Sequence, residues 1–261
     1  MSEPFSAVDN FISGNDSRIF LNLELGCSSS CSYCYLPSEG MSHDERPPEK
    51  LRRSATEMLV QLEKFPNFKP GATGSILSIG CFSECWDERI KSETIALING
   101  LLPLGNHIQF ATKREVLSSD IRLITRSKDW RGQVAAYIST ATISQWKIYE
   151  RGTAPPLNRF RSFQACRELG MRTCLYIKPV IPGVTVLDSN AYGKIMENNK
   201  IDAIVGEHFS SNESSILSPI SSRLYVTEHS DVVLLRENLS AFGKVFINST
   251  EHLLAKQDDV C

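Results

Sequence analysis

The sequence lacks any apolar run near the ~20 residues that a membrane span requires. It also lacks an excess of charge of either sign, because 28 Lys and Arg residues face 30 Asp and Glu residues, giving a net charge of −2. Proteins that grip nucleic acid through its phosphates usually carry a basic excess. We therefore expect no membrane partner, and we disfavour nucleic acid as a partner unless a local basic patch exists.

Residues 1–5 also lack the basic segment, followed by an apolar one, that begins an export signal. We therefore expect a cytoplasmic protein, in which the eight cysteines are reduced thiols or metal ligands rather than disulfides. The composition, 41% apolar and 22% charged, is typical of a globular fold. A length of 261 residues suits one substantial core, so we expect a single domain over residues 1–261.

Strand-like and helix-like segments alternate along the chain. Apolar patterning predicts strands at residues 19–25, 75–80, 107–112, 133–140, 172–180, 201–206 and 244–247. Helical spacing predicts helices at 52–65, 87–102, 118–126, 157–169, 190–198 and 232–242, and residues 210–222 read as a loop. This alternation indicates right-handed parallel βαβ units. About six units fit, which leaves a partial barrel or an open doubly wound sheet as alternatives.

Period-two alternation divides three of the predicted strands into an apolar face and a polar face. If the apolar faces pack on the outer helices, the interior holds Gln109, Lys113, Tyr137, Ser139, Cys174, Tyr176 and Lys178. Such an interior is too polar for a core that is merely packed. Lys113, Ser139 and Lys178 also lie at carboxyl ends of strands, where α/β folds place their ligands. By the same alternation, we expect Asn22 and Glu24 to face the interior.

Three cysteines, Cys27, Cys31 and Cys34, form a C-x3-C-x2-C run between a predicted strand and a predicted helix. Structural zinc takes four ligands, generally as two pairs, and no second pair completes this set. A cluster used only for electron transfer is usually held by four cysteines. Three thiolates suit a 4Fe-4S cluster with one iron left unbound by protein, and that iron can bind a small molecule.

The run resembles the signature of the radical S-adenosylmethionine (SAM) enzymes, including the aromatic Tyr33 before the third cysteine. The resemblance implies a partial (β/α)6 barrel in which Cys27, Cys31 and Cys34 hold a 4Fe-4S cluster and SAM chelates its fourth iron. It further implies cleavage of SAM to methionine and a 5′-deoxyadenosyl radical that abstracts a substrate hydrogen. The implied partner is an electron donor such as flavodoxin or ferredoxin.

A narrower resemblance, to the spore photoproduct lyase group, covers about residues 19–185. It is carried by the segments GCFSECW at 80–86, FATKR at 110–114, ISTAT at 138–142 before YERGT at 149–153, and IKPVIPG at 177–183. In that group a Lys matching Lys113 and a Ser matching Ser139 contact SAM, and Tyr33 is a further candidate contact here. The group also has a cysteine, matching Cys81, that returns a hydrogen atom to the product radical.

The resemblance to the lyase group ends near residue 185, although the lyase builds its grip on the DNA lesion largely with its C-terminal part. We expect residues 1–185 to form the barrel core, and residues 186–261 to supply the last βα units and a segment closing the substrate mouth. The expected substrate is a small organic molecule, with nucleotides and nucleosides among the candidates. The alternatives are photoproduct-type lesion repair, sulfur insertion, peptide modification and a non-catalytic, cluster-bearing regulatory protein.

Cys81 and Cys85 share a loop with polar neighbours, which weakens their interpretation as buried apolar thiols. In one hypothesis Cys81 donates a hydrogen atom and Cys85 assists as a redox partner. In the other, both join Cys261 as ligands of a second iron–sulfur cluster. Both hypotheses make Cys81 and Cys85 catalytic candidates. Glu150, by contrast, follows a predicted helix and is equally well explained as part of a solvated charge pair.

Overall fold

The computed structural model describes residues 11–41, 43, 51–124, 132–206 and 230–255. Its strands are β1 (Ile12–Gly14), β2 (Arg18–Leu21), β3 (Ser30–Cys31), β4 (Ile76–Ile79), β5 (Ile108–Thr112), β6 (Val134–Ser139), β7 (Glu150–Arg151), β8 (Arg172–Ile177), β9 (Ala203–Val205) and β10 (Val245–Phe246). Its α-helices are α1 (Ala55–Glu63), α2 (Lys91–Leu101), α3 (Ser118–Ile121), α4 (Trp146–Tyr149), α5 (Pro156–Leu169), α6 (Ser189–Asn199), α7 (Ser230–Ser240) and α8 (Ser249–Leu254). Short 3₁₀ helices span Leu36–Glu39, Leu102–Leu104 and Thr185–Asp188.

The main sheet has the order β1-β2-β4-β5-β6-β8-β9-β10. Every neighbouring pair from β2 to β10 is parallel, and β1 is the antiparallel edge strand. Within the described part of the chain the two edge strands do not pair, so the sheet stays open. The predicted partial barrel is confirmed, because the crossover helices α1, α2, α5, α6 and α7 all pack into one core cluster on the outer face of the sheet, whereas a doubly wound sheet has helices on both faces.

Two apolar layers follow the predicted alternation of the strands. Outward-facing residues such as Ile108, Ile138 and Leu175 belong to the large core cluster between the sheet and its helices. Inward-facing Tyr137 and Cys174 belong to a second, smaller cluster inside the barrel. The assignment of faces is confirmed, since successive side chains of a strand point to opposite sides of the sheet.

The first predicted strand is shorter than expected, because the chain leaves the sheet at the end of β2. Asn22 is buried, and its Oδ1 accepts a hydrogen bond of 2.7 Å from the backbone N–H of Phe82. The buried carboxylate of Glu24 pairs with Arg52 at 2.8 Å and with Arg89 at 2.9 Å. Asn22 and Glu24 are thus buried but do not line the cavity described below, and both residues hold loops instead.

Helix ends agree with local sequence signals more closely than strand ends do. The start of α1 is a capping box, in which Ser54 Oγ accepts from the Glu57 N–H at 3.3 Å and the Glu57 carboxylate accepts from the Ser54 N–H at 2.8 Å. α5 ends at Gly170, whose φ of 73° is the left-handed conformation that glycine adopts without strain. No helix in the described residues is long and apolar enough to cross a membrane. The predicted loop at 210–222 lies outside those residues.

Helix α8, which the sequence patterns did not predict, packs inside the barrel. Its Leu253 joins the inner cluster, and the Tyr137 hydroxyl donates to the Ser249 carbonyl at 3.1 Å. Arg172, the first residue of β8, donates to the carbonyls of His252 at 2.9 Å and Ala255 at 3.0 Å, and also to that of Leu253. A cation at a helix C-terminus complements the helix dipole and satisfies its orphan carbonyls.

We predict that Arg172→Met lowers the free energy of unfolding by about 1.5–3 kcal/mol, since charge-assisted hydrogen bonds to α8 are lost. Urea denaturation followed by circular dichroism measures this loss. The matched control is Arg167→Met, because Arg167 is exposed and donates one hydrogen bond of 3.1 Å to the Asn199 carbonyl. Its expected effect is within about 0.5 kcal/mol. Equal effects of the two variants would contradict a role for Arg172 in fixing α8.

Candidate active site

A cavity of about 300 Å³ lies at the carboxyl ends of the parallel strands and extends into the barrel. Lys113 follows β5, Ser139 ends β6, and Lys178 follows β8, and all three residues line this cavity. Deeper residues predicted to face inward, Gln109 and Tyr176, also line it. The carboxyl ends of parallel strands are where α/β folds bind their ligands, so this cavity is the candidate active site.

The three cysteines Cys27, Cys31 and Cys34 line this cavity together as partly exposed free thiols. In the described residues, no three Cys, His, Asp or Glu side chains, these cysteines included, are grouped closely enough to hold a metal ion. Burial raises the pKa of Cys31 to about 12 and that of Cys34 to about 11, and the charge of Lys113 opposes both shifts. A bound cation would convert such thiols to thiolates, so this donor set fits a metal cluster with three protein ligands.

The cysteine loop is held by a two-stranded antiparallel ribbon. Cys31 in β3 pairs with Glu150 in β7, and Ser30 pairs with Arg151. The Ser32 N–H donates to the Tyr149 carbonyl at 2.9 Å, which continues the attachment beyond the ribbon. The middle cysteine is therefore fixed by backbone hydrogen bonds to a distant segment of the chain.

Glu150 is fully buried and links the cysteine loop to the barrel. Its Oε1 accepts from the Tyr33 hydroxyl at 2.5 Å and from the Ala141 N–H at 3.0 Å. Its Oε2 accepts from Nη1 of Arg159 at 2.7 Å, and neither side chain of this ion pair is exposed. The interpretation of Glu150 as part of a solvated pair was therefore wrong, because the ribbon carries its side chain into the interior.

Arg159, on α5, also donates hydrogen bonds to neighbouring residues. Its Nη1 also donates to the Ser139 carbonyl at 2.8 Å, and its Nε donates to the Ala154 carbonyl at 2.6 Å. Its Nη2 donates to the Thr153 hydroxyl at 2.7 Å. One buried guanidinium thus fastens the end of β6, the turn after β7 and the start of α5 to each other.

A second charged network holds the beginning of the cysteine loop. The Asp87 carboxylate accepts from the Ser28 hydroxyl at 2.8 Å, from Arg114 at 2.8 Å and from Arg89 at 3.0 Å. Burial acts to raise the pKa of Asp87, but these hydrogen bonds and the charge of Arg114 outweigh it and lower the pKa to about 2. Arg114 also donates to the Gly152 carbonyl. Ser28, the residue after Cys27, is therefore connected through Asp87 and Arg114 to the turn that follows Glu150.

Three residues were predicted to contact SAM, and the structure places all of them on the cavity wall. The ammonium of Lys113 lies 5.6 Å from the centre of the Tyr33 ring, and it forms no ion pair with the described residues. The hydroxyl of Tyr33 is engaged by Glu150, so only its ring faces the cavity. Ser139 is nearly buried at the end of β6.

Cys81 and Cys85 lie in the same turn, but their side chains lie in different environments. Cys81 lines the cavity, where the Tyr35 hydroxyl donates to its carbonyl and lies 3.5 Å from its Sγ. Cys85 is 1% exposed in the hydrophobic core, where burial raises its pKa well above the usual range. The expectation that both thiols border the cavity was wrong for Cys85, which packs directly against Gly80. Cys261 lies outside the described residues.

Several cavity residues were not indicated by the sequence patterns. Arg18 lines the cavity beside Phe20 on the inward face of β2, but the predicted strand began one residue after it. Period-two alternation extended back by one residue would have found Arg18. Asn248 and Ser249, before and within α8, also line the cavity, and no local pattern indicated this. Cys174, predicted to face inward, is buried in the inner cluster without lining the cavity.

No protein-family model matches the sequence, and no curated protein matches it significantly. Solved structures do match its fold. SuiB from Streptococcus suis, bound to S-adenosylmethionine, is 13% identical with a TM-score of 0.59, and the match covers 89% of this chain and 50% of SuiB. Spore photoproduct lyase, complexed with dinucleoside spore photoproduct, is 14% identical with a TM-score of 0.59, and the match covers 89% of this chain and 73% of the lyase.

A further structure, SuiB bound to the precursor peptide SuiA, is 12% identical with a TM-score of 0.59 and coverage of 89% and 49%. The chain therefore spans about half the length of SuiB. At these identities the likeness establishes the fold alone, and this chain shares its partial barrel with SuiB and spore photoproduct lyase.

We predict that Glu150→Gln lowers the free energy of unfolding by about 3–5 kcal/mol, because it leaves the charge of Arg159 buried without its partner. Urea denaturation measures the loss, and in an Arg159→Met background the same change should cost less. The control is Glu115→Gln, whose partner Arg161 is mostly exposed. That change should cost less than about 1 kcal/mol. A loss for Glu150→Gln as small as the control's would contradict the assigned role.

We also predict that iodoacetamide labels Cys81 at least about ten times faster than Cys85 in the folded protein, since burial and a raised pKa protect a thiol. Mass spectrometry of peptides after timed anaerobic labelling measures both rates, and labelling in urea gives the unprotected reference. Equal rates in the folded protein would contradict the placement of Cys85 in the core.

Proposed function

We propose that the protein is a radical SAM enzyme. The observation that carries this proposal is the presence of all three cysteines of the C-x3-C-x2-C run on one cavity, at the carboxyl ends of the strands of a partial barrel. A bound 4Fe-4S cluster would supply an electron to SAM, which would yield methionine and a 5′-deoxyadenosyl radical able to abstract hydrogen from substrate. The match to a SuiB structure bound to S-adenosylmethionine supports this choice of cofactor.

In this proposal Cys27, Cys31 and Cys34 hold the cluster as thiolates. Three protein ligands leave one iron for the amino and carboxylate groups of SAM. The β3–β7 ribbon and Glu150 keep the loop in place through Cys31 and Tyr33. The backbone of the loop is therefore held beside the cavity that all three thiols line.

Lys113, Ser139 and the ring of Tyr33 are the proposed SAM contacts. Lys113 offers a positive charge, and Ser139 offers a hydroxyl at the adjacent strand end. The carboxylate of Glu84 positions the end of β5, because it accepts from the Thr112 hydroxyl at 2.6 Å and from the Lys113 N–H at 2.9 Å. That strand end is thus fixed before any ligand binds.

Cys81 is the proposed hydrogen-atom donor. Its S–H bond would break as a C–H bond forms on the product radical, and the unpaired electron would remain on Sγ. The Tyr35 hydroxyl, which contacts both the carbonyl and the Sγ of Cys81, holds the thiol at the cavity wall. Cys85 is too deeply buried to share this role directly. The same burial argues against the second cluster, which would also require Cys261.

The proposed substrate is a small organic molecule, with nucleotides and nucleosides among the candidates, and it would share this cavity with the cluster and SAM. Asn248 and Ser249 lie on its wall, and Arg172 binds the end of α8 at the amino end of β8, so this part of residues 186–261 closes the inner end of the cavity and not its mouth. Lesion repair and peptide modification are the second candidates, because the matched structures include the lyase with its dinucleoside and SuiB with SuiA. Flavodoxin or ferredoxin is the proposed electron donor.

We predict that Cys27→Ala, Cys31→Ala or Cys34→Ala removes the 4Fe-4S cluster, because two protein thiolates cannot hold it stably. Iron analysis after anaerobic reconstitution should give about four irons per chain for the wild type and much less for each variant. Cys166→Ala is the control, since Cys166 is buried in the outer core, and it should keep its iron. A reduced variant whose electron paramagnetic resonance signal still changes on adding SAM would reject the ligand assignment.

We predict that Lys113→Ala weakens SAM binding about ten- to a hundred-fold, because a charge-assisted hydrogen bond is typically worth ~1.5–3 kcal/mol. The iron content should not change. Lys147→Ala is a matched control, since Lys147 also lies over an aromatic ring, 5.9 Å from the centre of Trp146, but does not line the cavity. Equilibrium dialysis with labelled SAM measures both affinities. Unaltered affinity in Lys113→Ala would exclude this contact.

A further inference from the structure

The interior of the barrel holds a cation that the proposed SAM chemistry does not use. Arg18 is the first residue of β2, at the opposite end of the strands from Lys113 and Ser139, and its half-buried side chain lines the cavity. Burial lowers the pKa of Arg18, while Tyr176 and Cys81 are among the groups whose charges favour its protonated form. The guanidinium therefore lies toward the amino ends of the strands, in the same cavity that the thiol of Cys81 lines.

The contacts of Arg18 are all neutral. Its Nε donates to the Ser78 hydroxyl at 2.8 Å, and it lies 4.8 Å from the centre of the Phe20 ring. With the Gln109 amide turned so that its oxygen faces these donors, that oxygen accepts from Nη2 of Arg18 at 2.8 Å. A guanidinium has five N–H donors, so Nη1 and part of Nη2 are left for another group.

Three other arginines near the cavity have an anionic partner or several carbonyl partners. Arg159 pairs with Glu150, Arg114 pairs with Asp87, and Arg172 binds three carbonyls of α8. Arg18 forms no ion pair with any described residue. A charge that is partly shielded from water and has no anionic partner among the described residues is suited to bind an anionic ligand.

The charge balance of the cavity wall also favours an anion. Arg18, Lys113 and Lys178 supply positive charge, and Glu84 is the carboxylate on the described lining. Both oxygens of Glu84 already accept hydrogen bonds at the end of β5. Before the thiolates of the cysteine loop are counted, the charged side chains of the cavity wall are therefore mostly positive, which favours an anion over a cation.

We propose that Arg18 binds the carboxylate or phosphate group of a small anionic substrate inside the barrel. The planar guanidinium fork matches both groups through paired hydrogen bonds. The rings of Tyr137 and Tyr176, stacked with centres 5.8 Å apart, supply an apolar wall for the body of the molecule. The anchored substrate would then extend toward Cys81. The identification of this ligand as a substrate rests on the proposed function as a radical SAM enzyme.

The test uses the reconstituted holoprotein, saturated with SAM, at constant ionic strength. Isothermal titration calorimetry is run with inorganic phosphate, benzoate and the neutral analogue benzamide. We expect phosphate or benzoate to bind with a dissociation constant of about 1–10 mM and benzamide not to bind in that range. Tighter binding of phosphate would identify the substrate group as a phosphate, and tighter binding of benzoate would identify it as a carboxylate. Failure of both anions to bind would overturn the proposal.

Arg18→Gln should weaken binding of that anion at least about tenfold, because the charged donor is lost. Arg18→Lys keeps the positive charge but loses the paired donors of the guanidinium, so its affinity for the anion should lie between those of the wild type and Arg18→Gln. The Lys variant also tests the proposal if the Gln variant does not fold. The matched control is Arg161→Gln, an exposed arginine on the outer helix α5, which should bind as the wild type does. Wild-type affinity in Arg18→Gln, or equal loss in the control, would overturn the proposal.

Formation of 5′-deoxyadenosine by the same wild-type preparation is scored separately from anion binding. Anion binding at Arg18 without any 5′-deoxyadenosine would reject the proposed function and leave the anion site standing. SAM cleavage without anion binding would reject the anion site alone.

Discussion

The buried ion pair between Glu150 and Arg159 is the interaction on which the geometry of the candidate site depends. Neither side chain is exposed, and every contact they make fixes a different part of the site. Glu150 holds the hydroxyl of Tyr33 in the cysteine loop, while Arg159 holds the carbonyl of Ser139 at the end of β6. Two buried charges tolerate few alternative arrangements, because each lost contact leaves an unsatisfied charge. The cluster loop and the proposed SAM-binding strand end are therefore kept in one relative position.

This constraint divides the cavity into two chemically different regions. The region at the carboxyl ends of the strands carries the three thiols with Lys113, in a setting organised by buried ion pairs. The interior of the barrel carries Arg18, with aromatic rings and neutral hydrogen-bonding groups around it. Cys81 lies on the wall of the same cavity. Such a division suits a reaction in which a cofactor radical meets an anchored substrate near a thiol.

Local patterns in the sequence predicted the repeating part of the fold well. Alternation placed Gln109, Tyr137 and Tyr176 inside the barrel, because strand geometry alone decides which face a residue takes. The buried role of Glu150 could not be predicted, since it depends on a two-residue strand pairing across more than a hundred residues of chain. The burial of Cys85 depends likewise on a tight turn at Gly80. The polar neighbours of Cys85 in the sequence had favoured a position outside the apolar core. Helix α8 is too short for a periodic pattern to be recognised.

Anaerobic incubation of the reconstituted, chemically reduced protein with SAM, followed by chromatographic measurement of 5′-deoxyadenosine, tests the proposed chemistry most directly. The wild type should form 5′-deoxyadenosine, even slowly and without substrate, whereas a variant with Cys27, Cys31 and Cys34 all changed to Ala should form none. A wild-type protein that holds about four irons per chain and yet forms no 5′-deoxyadenosine would contradict the assignment. Equal formation by the triple variant would contradict it as well.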